Sequence, residues 1–214
     1  MIDFFVRSEW WLFKTMRRIR LKNRRPTIIA DNCNAGIIYH DLGLPFLSPT
    51  INLYFLPADY LKFLQNLQHY LQVEPKETMD TSVAWPVGML DDVKVYFMHY
   101  KSFAEAREKW ISRTARIDFD NLFVLMSEKN GCTYEQMQTF DAMPFQHKTL
   151  LVHKPYPEFK SSVCLPGFEN QSQLGVVTDF KPGLLRRRYL DSFDYVSFLN
   201  VVARQDIEKT KANQ

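Results

Sequence analysis

The sequence predicts an α/β domain of three layers, a central mixed or mostly parallel sheet flanked by helices. Three observations carry this reading. Short runs at residues 27–30, 121–126 and 148–153 read as strands, the first buried and the second the plainest central strand. Between such runs apolar residues take helical spacing, most plainly Leu61, Leu64, Leu67 and Leu71. Strand-like and helix-like segments then alternate at least four times, which is α/β logic. Residues 1–25 read as a basic amphipathic N-terminal helix, 26–204 as a single α/β domain, and 205–214 as a charged tail.

In order along the chain, residues 2–21 place Phe5, Trp10, Trp11, Phe13, Met16, Ile19 and Leu21 among basic residues, and Pro26 closes the segment. The first strand is 27–30. A helix follows from Asn34 to Leu42, with Gly43 suited to the left-handed cap. Residues 50–55 alternate enough for a strand, and Pro57 opens a helix that reaches Leu71. Residues 73–82 are polar and read as a loop. Residues 93–100 are apolar on both sides, which predicts a strand inside a parallel or mixed sheet. Ser102 with Glu105 has capping-box spacing, for a helix to Thr114. Thr133 with Gln136 caps a shorter helix ending near Phe140. Residues 163–165 fit an edge strand, 166–183 a long loop, and 189–202 a last helix.

Composition bounds the function. The chain has 214 residues, 46% hydrophobic and 24% charged, an ordinary globular balance. Aromatic residues at 14% serve either a ring-rich core or a ring-lined groove. Cys33, Cys132 and Cys164 are odd in number and widely spaced, so they form no disulfide framework and fit a reducing compartment. No cleavable signal peptide is evident, and no stretch approaches the roughly 18 to 20 apolar residues that span a bilayer. The net charge of +3 is uneven: residues 1–25 hold eight basic and two acidic groups, +6, leaving −3 for the rest. Basicity thus belongs to the N-terminal segment, which fits contact with an anionic membrane surface through residues 1–21, or a helix docked on the domain with a solvated face. No nucleic-acid reading motif is present, so no specific nucleic-acid partner is expected.

The leading site candidate is the turn after the first strand, because ligands of open α/β sheets bind where strand ends meet helix starts. Asp31, Asn32, Cys33 and Asn34 form it, with Tyr39 and His40 on the following helix. Asn32 and Asn34 suit ligand contact. Cys33 is a nucleophile if a helix start and a histidine activate it, or else a small buried hydrophobe. His99 and His153 end predicted strands; if those strands are parallel neighbours of the first, both side chains gather near Cys33 as acid/base candidates. Ser127 to Asn130 follow the plainest strand and suit substrate contact. Asp141 is a carboxylate candidate, but no spacing supports a metal site. Arg186, Arg187 and Arg188 form either an anion clamp or a solvated charge run. There is no GxGxxG, P-loop, HExxH or GxSxG pattern.

Several phrases occur together: Asn32-Cys33 with Gly36 and Tyr39, Gly43-Leu44-Pro45, Ser48-Pro49-Thr50, and Asp59-Tyr60 with Phe63-Leu64. Further on come residues 96–100, Ala106 to Trp110, residues 121–124 and Phe140-Asp141 through Pro144-Phe145. The set, over roughly residues 25–200, resembles an uncharacterised bacterial family usually labelled exopolysaccharide or capsule biosynthesis protein. That resemblance implies work on a surface polysaccharide or its precursor at the cytoplasmic side, peripheral to the inner face of the membrane. It carries over no catalytic residues. The Asn32-Cys33 turn also resembles the Gly-Asn-Cys turn of a coenzyme A-binding polysaccharide acyltransferase family, with Asp31 in place of the glycine. The expected function is a glycosyl or acyl transferase using a nucleotide sugar or coenzyme A thioester as donor. The alternative is a non-catalytic accessory or binding protein of polysaccharide assembly at the membrane surface, and the expected partner in either case is a saccharide or a nucleotide-linked small molecule.

Overall fold

The computed structural model describes residues 2–183 and 185–201, with side chains from residue 9 onward. The expected tail at 205–214, and the domain end at 202–204, lie outside the described residues.

The order is α1 (Ile2–Arg20), β1 (Thr27–Ala30), α2 (Asn34–Leu42), α3 (Pro57–Gln65), α4 (Leu67–Gln72), β2 (Lys76–Thr78), β3 (Val87–Leu90), β4 (Val93–Tyr96) and α5 (Phe103–Thr114). Then come β5 (Leu122–Ser127), α6 (Tyr134–Ala142), β6 (Lys148–Val152), β7 (Ser162–Cys164) and α7 (Tyr195–Leu199). Strands β1, β5, β6 and β7 pair in that order, all parallel, so the domain is α/β with a flanked central sheet as expected. A second sheet, β2-β3-β4, is antiparallel.

The period of two along each strand divides the core. Ile28, Ala30, Phe123, Leu125 and Leu151 face one layer with α2 and α7. Ile29, Val124, Met126, Leu150 and Val152 face the other, with α3, α4, α5 and α6. Burial on both faces explains why these strands lack polar alternation. Gly43 ends α2 at φ 67°, and Thr133 with Gln136 forms a reciprocal cap on α6.

Five expectations change. The helix expected from Pro57 to Leu71 breaks at Asn66, whose φ of −133° is not helical, into α3 and α4. Residues 93–100 do not join the central sheet. The chain reverses at Asp91, at φ 52°, and β4 returns against β3, burying Val93 and Val95 while Lys94 is half-buried. Residues 50–55 are extended but bridge the sheets. Phe55 N–H donates to the Asp31 carbonyl at 2.9 Å, and Tyr54 and Tyr96 exchange both backbone bonds at 2.9 Å. The loop expected at 73–82 contains β2, whose exposed Lys76 and Glu77 give no apolar signal because backbone pairing alone holds it. The last helix is split into a 3-10 turn at Tyr189–Ser192 and α7, which Asp194 caps by accepting from Ser197 N–H.

Helix α1 docks through a buried ionic cluster. Arg17 donates to Asp191 at 2.8 Å and to the Tyr195 hydroxyl at 2.5 Å. Arg188 pairs with Asp41 and, at 3.0 Å, with Asp191. Burial works against the Arg188 charge, but Asp191 and Asp41 outweigh it and hold the guanidinium firmly protonated. Removing one member of such a cluster leaves an uncompensated buried charge. Asp191→Ala is therefore expected to cost about 3–5 kcal/mol in urea unfolding. A loss below about 1 kcal/mol, the usual worth of an exposed pair, would contradict the clamp.

Candidate functional site

The parallel register aligns the carboxyl ends of β1, β5 and β6 on one edge. The ladder runs on into the loops, with Asp31 N–H donating to the Leu125 carbonyl and Glu128 N–H to that of Leu151. From β1 the chain leaves to α2 in one layer; from the adjacent β5 it leaves to α6 in the other. Such a divergence opens a crevice at the strand ends, the usual ligand position in open α/β sheets.

The floor of that crevice is a closed polar network. Ser127 N–H donates to Asp31 Oδ2 at 3.1 Å, and the Ser127 hydroxyl lies 3.4 Å from Asp31 Oδ1. Asn32 Nδ2 and Asn34 Nδ2 donate to that hydroxyl at 3.0 and 3.2 Å. Asn32 Oδ1 accepts the Asn34 backbone N–H at the start of α2. Burial pushes the Asp31 carboxyl up to about 7, against the pull of the Ser127 bonds and Lys129.

Above the floor lies a cleft of about 680 Å³. Asn32, Cys33, Asn34, Ser127, Lys129, Asn130 and His99 supply its polar groups, while Ile37, Leu56, Met98, Leu174, Val176 and Val177 make much of it apolar. One wall is aromatic. Tyr54 stacks on Tyr96 with centroids 4.6 Å apart and meets Trp85 edge-on at 6.1 Å. The buried Trp85 Nε1–H lacks an acceptor among the described residues, its approach to Tyr54 falling short of hydrogen-bond geometry. Lys129 Nζ donates to the Gly175 carbonyl at 3.2 Å, which holds the ammonium at the cleft and leaves further protons for a ligand. A second cavity of about 320 Å³ is lined by Gly36, His40, Phe46, Asn52 and Arg188, and it shares Cys33, Ile37 and His99 with the first. Asn130 at φ 57° and Asn52 at φ 62° border the two cavities, left-handed conformations that asparagine tolerates better than most side chains.

His99 thus lines the same two cavities as Cys33, though by the antiparallel route: its N–H donates to the Asn52 carbonyl at 3.2 Å. His153 does not join it. It is buried, with Nδ1 2.6 Å from Glu128 Oε2, and Glu128 Oε1 accepts from Tyr156 at 2.8 Å. Cys33 lines both cavities, but burial and then Asp31 push its thiol up to about 11, far from the thiolate a nucleophile needs. Tyr39 is a core residue whose hydroxyl donates to the Pro26 carbonyl and accepts from Ile28 N–H, both at 2.8 Å. Exposed His40 lines the second cavity. Asp141 instead ties down the loop before β7, accepting from Lys160 N–H and from Ser161. In the arginine tract, Arg186 lies over Phe180 at 4.3 Å, Arg187 pairs with Glu9, and Arg188 belongs to the ionic cluster. Sequence reasoning missed Tyr54, Trp85 and the 174–178 wall. They come from separate segments that carry no motif.

The chain is an α/β protein whose cleft sits at the divergence of two parallel strands. It matches a domain of unknown function, DUF1919, over residues 5–200, and belongs to that family. It is 43% identical over 194 residues to an "Uncharacterized protein" of Haemophilus influenzae (strain ATCC 51907 / DSM 11121 / KW20 / Rd), covering 91% of this chain and 93% of the other.

The Asp31 carboxyl makes the floor pH-sensitive. Its folded value of about 7 stands above the ordinary 3.8, so between them the native state holds a proton the unfolded chain has released. Stability therefore falls as pH rises through that window, by an amount on the order of 4 kcal/mol, and is level above it. Asp31→Asn removes this titration. Relative to the parent, the variant is expected to gain stability between about pH 4 and about pH 7 in urea unfolding. An equal difference at both ends would contradict the assignment.

Proposed function

We propose that the protein is a glycosyl or acyl transferase acting on a bacterial surface polysaccharide or its precursor. The observation that carries the reading is that His99 lines both cavities. A two-substrate transfer needs a base where donor and acceptor sites meet, and exposed His99 stands at that junction. The larger cleft takes the donor, a nucleotide sugar or a coenzyme A thioester. Tyr54 and Trp85 offer ring faces to a base or sugar. The Lys129 ammonium attracts the donor phosphates. The acceptor saccharide enters the smaller cavity beside His40 and Asn52. The His99 imidazole removes the proton of an acceptor hydroxyl as its oxygen bonds to the donor carbon. The broken bond leaves its electrons on the departing nucleoside diphosphate or thiolate. The polysaccharide setting, at the cytoplasmic face of the membrane, rests on the sequence resemblance.

The test is a thermal-shift screen with nucleotide sugars and coenzyme A thioesters, followed by a transfer assay with the class that binds. A ligand of the native state raises Tm. Tyr54→Ala and Trp85→Ala are expected to abolish the shift. His99→Gln should keep it while slowing transfer by about 10²–10⁴-fold. Binding without transfer by the parent would make the protein an accessory carrier. No shift with either class at millimolar ligand would overturn the transferase reading and leave the accessory one standing.

A further inference from the structure

Beyond the cleft, α1 is apolar on two opposite faces, and only one of them is covered by the domain. On the docked side Phe13 lies against Arg17 and Arg187, Trp10 meets Phe180, and Leu21 beyond the helix end is buried. On the other side Trp11 is 66% exposed, Leu12 53%, Met16 56% and Ile19 75%. At 100° per residue these four fall within an arc of about 140°, centred opposite Arg17. A cluster of large exposed apolar side chains on one helix face marks an interaction surface.

We infer that this face of α1 seats the protein on an anionic lipid bilayer, with the helix lying in the interface plane. Charge decides for lipid over a second copy of the chain. Residues 1–25 carry +6 against −3 for the rest. A symmetric dimer through α1 would bring two such segments together, whereas an anionic surface attracts this end of the molecule alone. Several of these cations are already engaged: Arg17 with Asp191, Arg20 with Asp194, and Lys14 with Asp41. Lys22, Arg24 and Arg25, just past the exposed stripe, are exposed, and their side chains have no hydrogen-bond or ion-pair partner among the described residues. Rings and aliphatic chains on one face, followed by uncommitted cations, match what an anionic interface binds. No helix among the described residues is long and apolar enough to cross a membrane. The contact is therefore peripheral, through the stripe and the cations together.

The experiment is co-sedimentation of the full chain with phosphatidylglycerol or phosphatidylcholine vesicles, with tryptophan fluorescence read in parallel. Binding to phosphatidylglycerol vesicles is expected, with a blue shift that Trp11→Ser removes. The combined Trp11→Ser, Met16→Gln, Ile19→Gln variant changes only exposed positions, so it should fold as the parent does while partitioning about tenfold or more weakly. Lys22→Gln, Arg24→Gln and Arg25→Gln together should weaken binding and flatten its salt dependence. Failure of the parent to bind, or equal binding by the stripe variant, would overturn the inference. So would a dimer by light scattering that the stripe variant makes monomeric, since the face would then belong to a second copy. None of these outcomes depends on the transferase reading.

Discussion

The parallel pairing of β1 with β5 is the constraint on which the rest of the molecule depends. Its register, Thr27 opposite Leu122 through Ala30 opposite Leu125, sets which side chains enter each layer. It also brings Asp31 and Ser127 together just past the strand ends. A one-residue slip would turn Ile28 and Ile29 to the wrong layers and part the Asp31 carboxyl from its Ser127 donors. The cleft floor and the two cores are therefore consequences of one alignment. The departure of α2 to one layer and α6 to the other then leaves the strand ends uncovered, which is where the polar groups collect.

A second organising feature is the ionic cluster under α1. Arg17 and Arg188 are both nearly buried, and each finds a carboxylate. Partnered burial of this kind fixes geometry more than it adds net stability, because desolvation offsets much of the attraction. Here the geometry is the placement of a basic helix against the last turn of the domain. The arginine tract is largely spent on that task, so among the described residues of the cleft the positive charge comes from Lys129. Because α1 is held by its inner face, its outer apolar stripe points away from the domain.

The two histidines illustrate how environment sorts similar residues. His153 is enclosed, its backbone and ring both directed at Glu128, whose other oxygen is taken by Tyr156. It has the character of a joint holding β5 to β6. His99 is exposed at the meeting of two cavities, carried there by the bridge that residues 50–55 make between the sheets. The Ser127 hydroxyl is saturated by Asp31, Asn32 and Asn34. They stiffen the floor, while the aromatic wall and Lys129 keep binding capacity to spare.

The sequence by itself determined the central strands, most of the helices and the place of the Asp31 to Asn34 turn between the first strand and α2. Those signals are local: apolar runs such as 122–126, helical spacing through Leu61 and Leu64, caps at Ser102, Thr133 and Gly43. Only the tertiary structure decided that β4 belongs to a separate antiparallel sheet, since apolar residues on both sides fit either arrangement. It alone separated His99 from His153, gave Arg187 and Arg188 to α1, and assembled Tyr54 with Trp85 from segments 31 residues apart. The physical reason is that a side chain's role follows from its burial and its partners. Those partners lie far along the chain, as Arg17 and Asp191 do at a separation of 174 residues, where no local pattern records them.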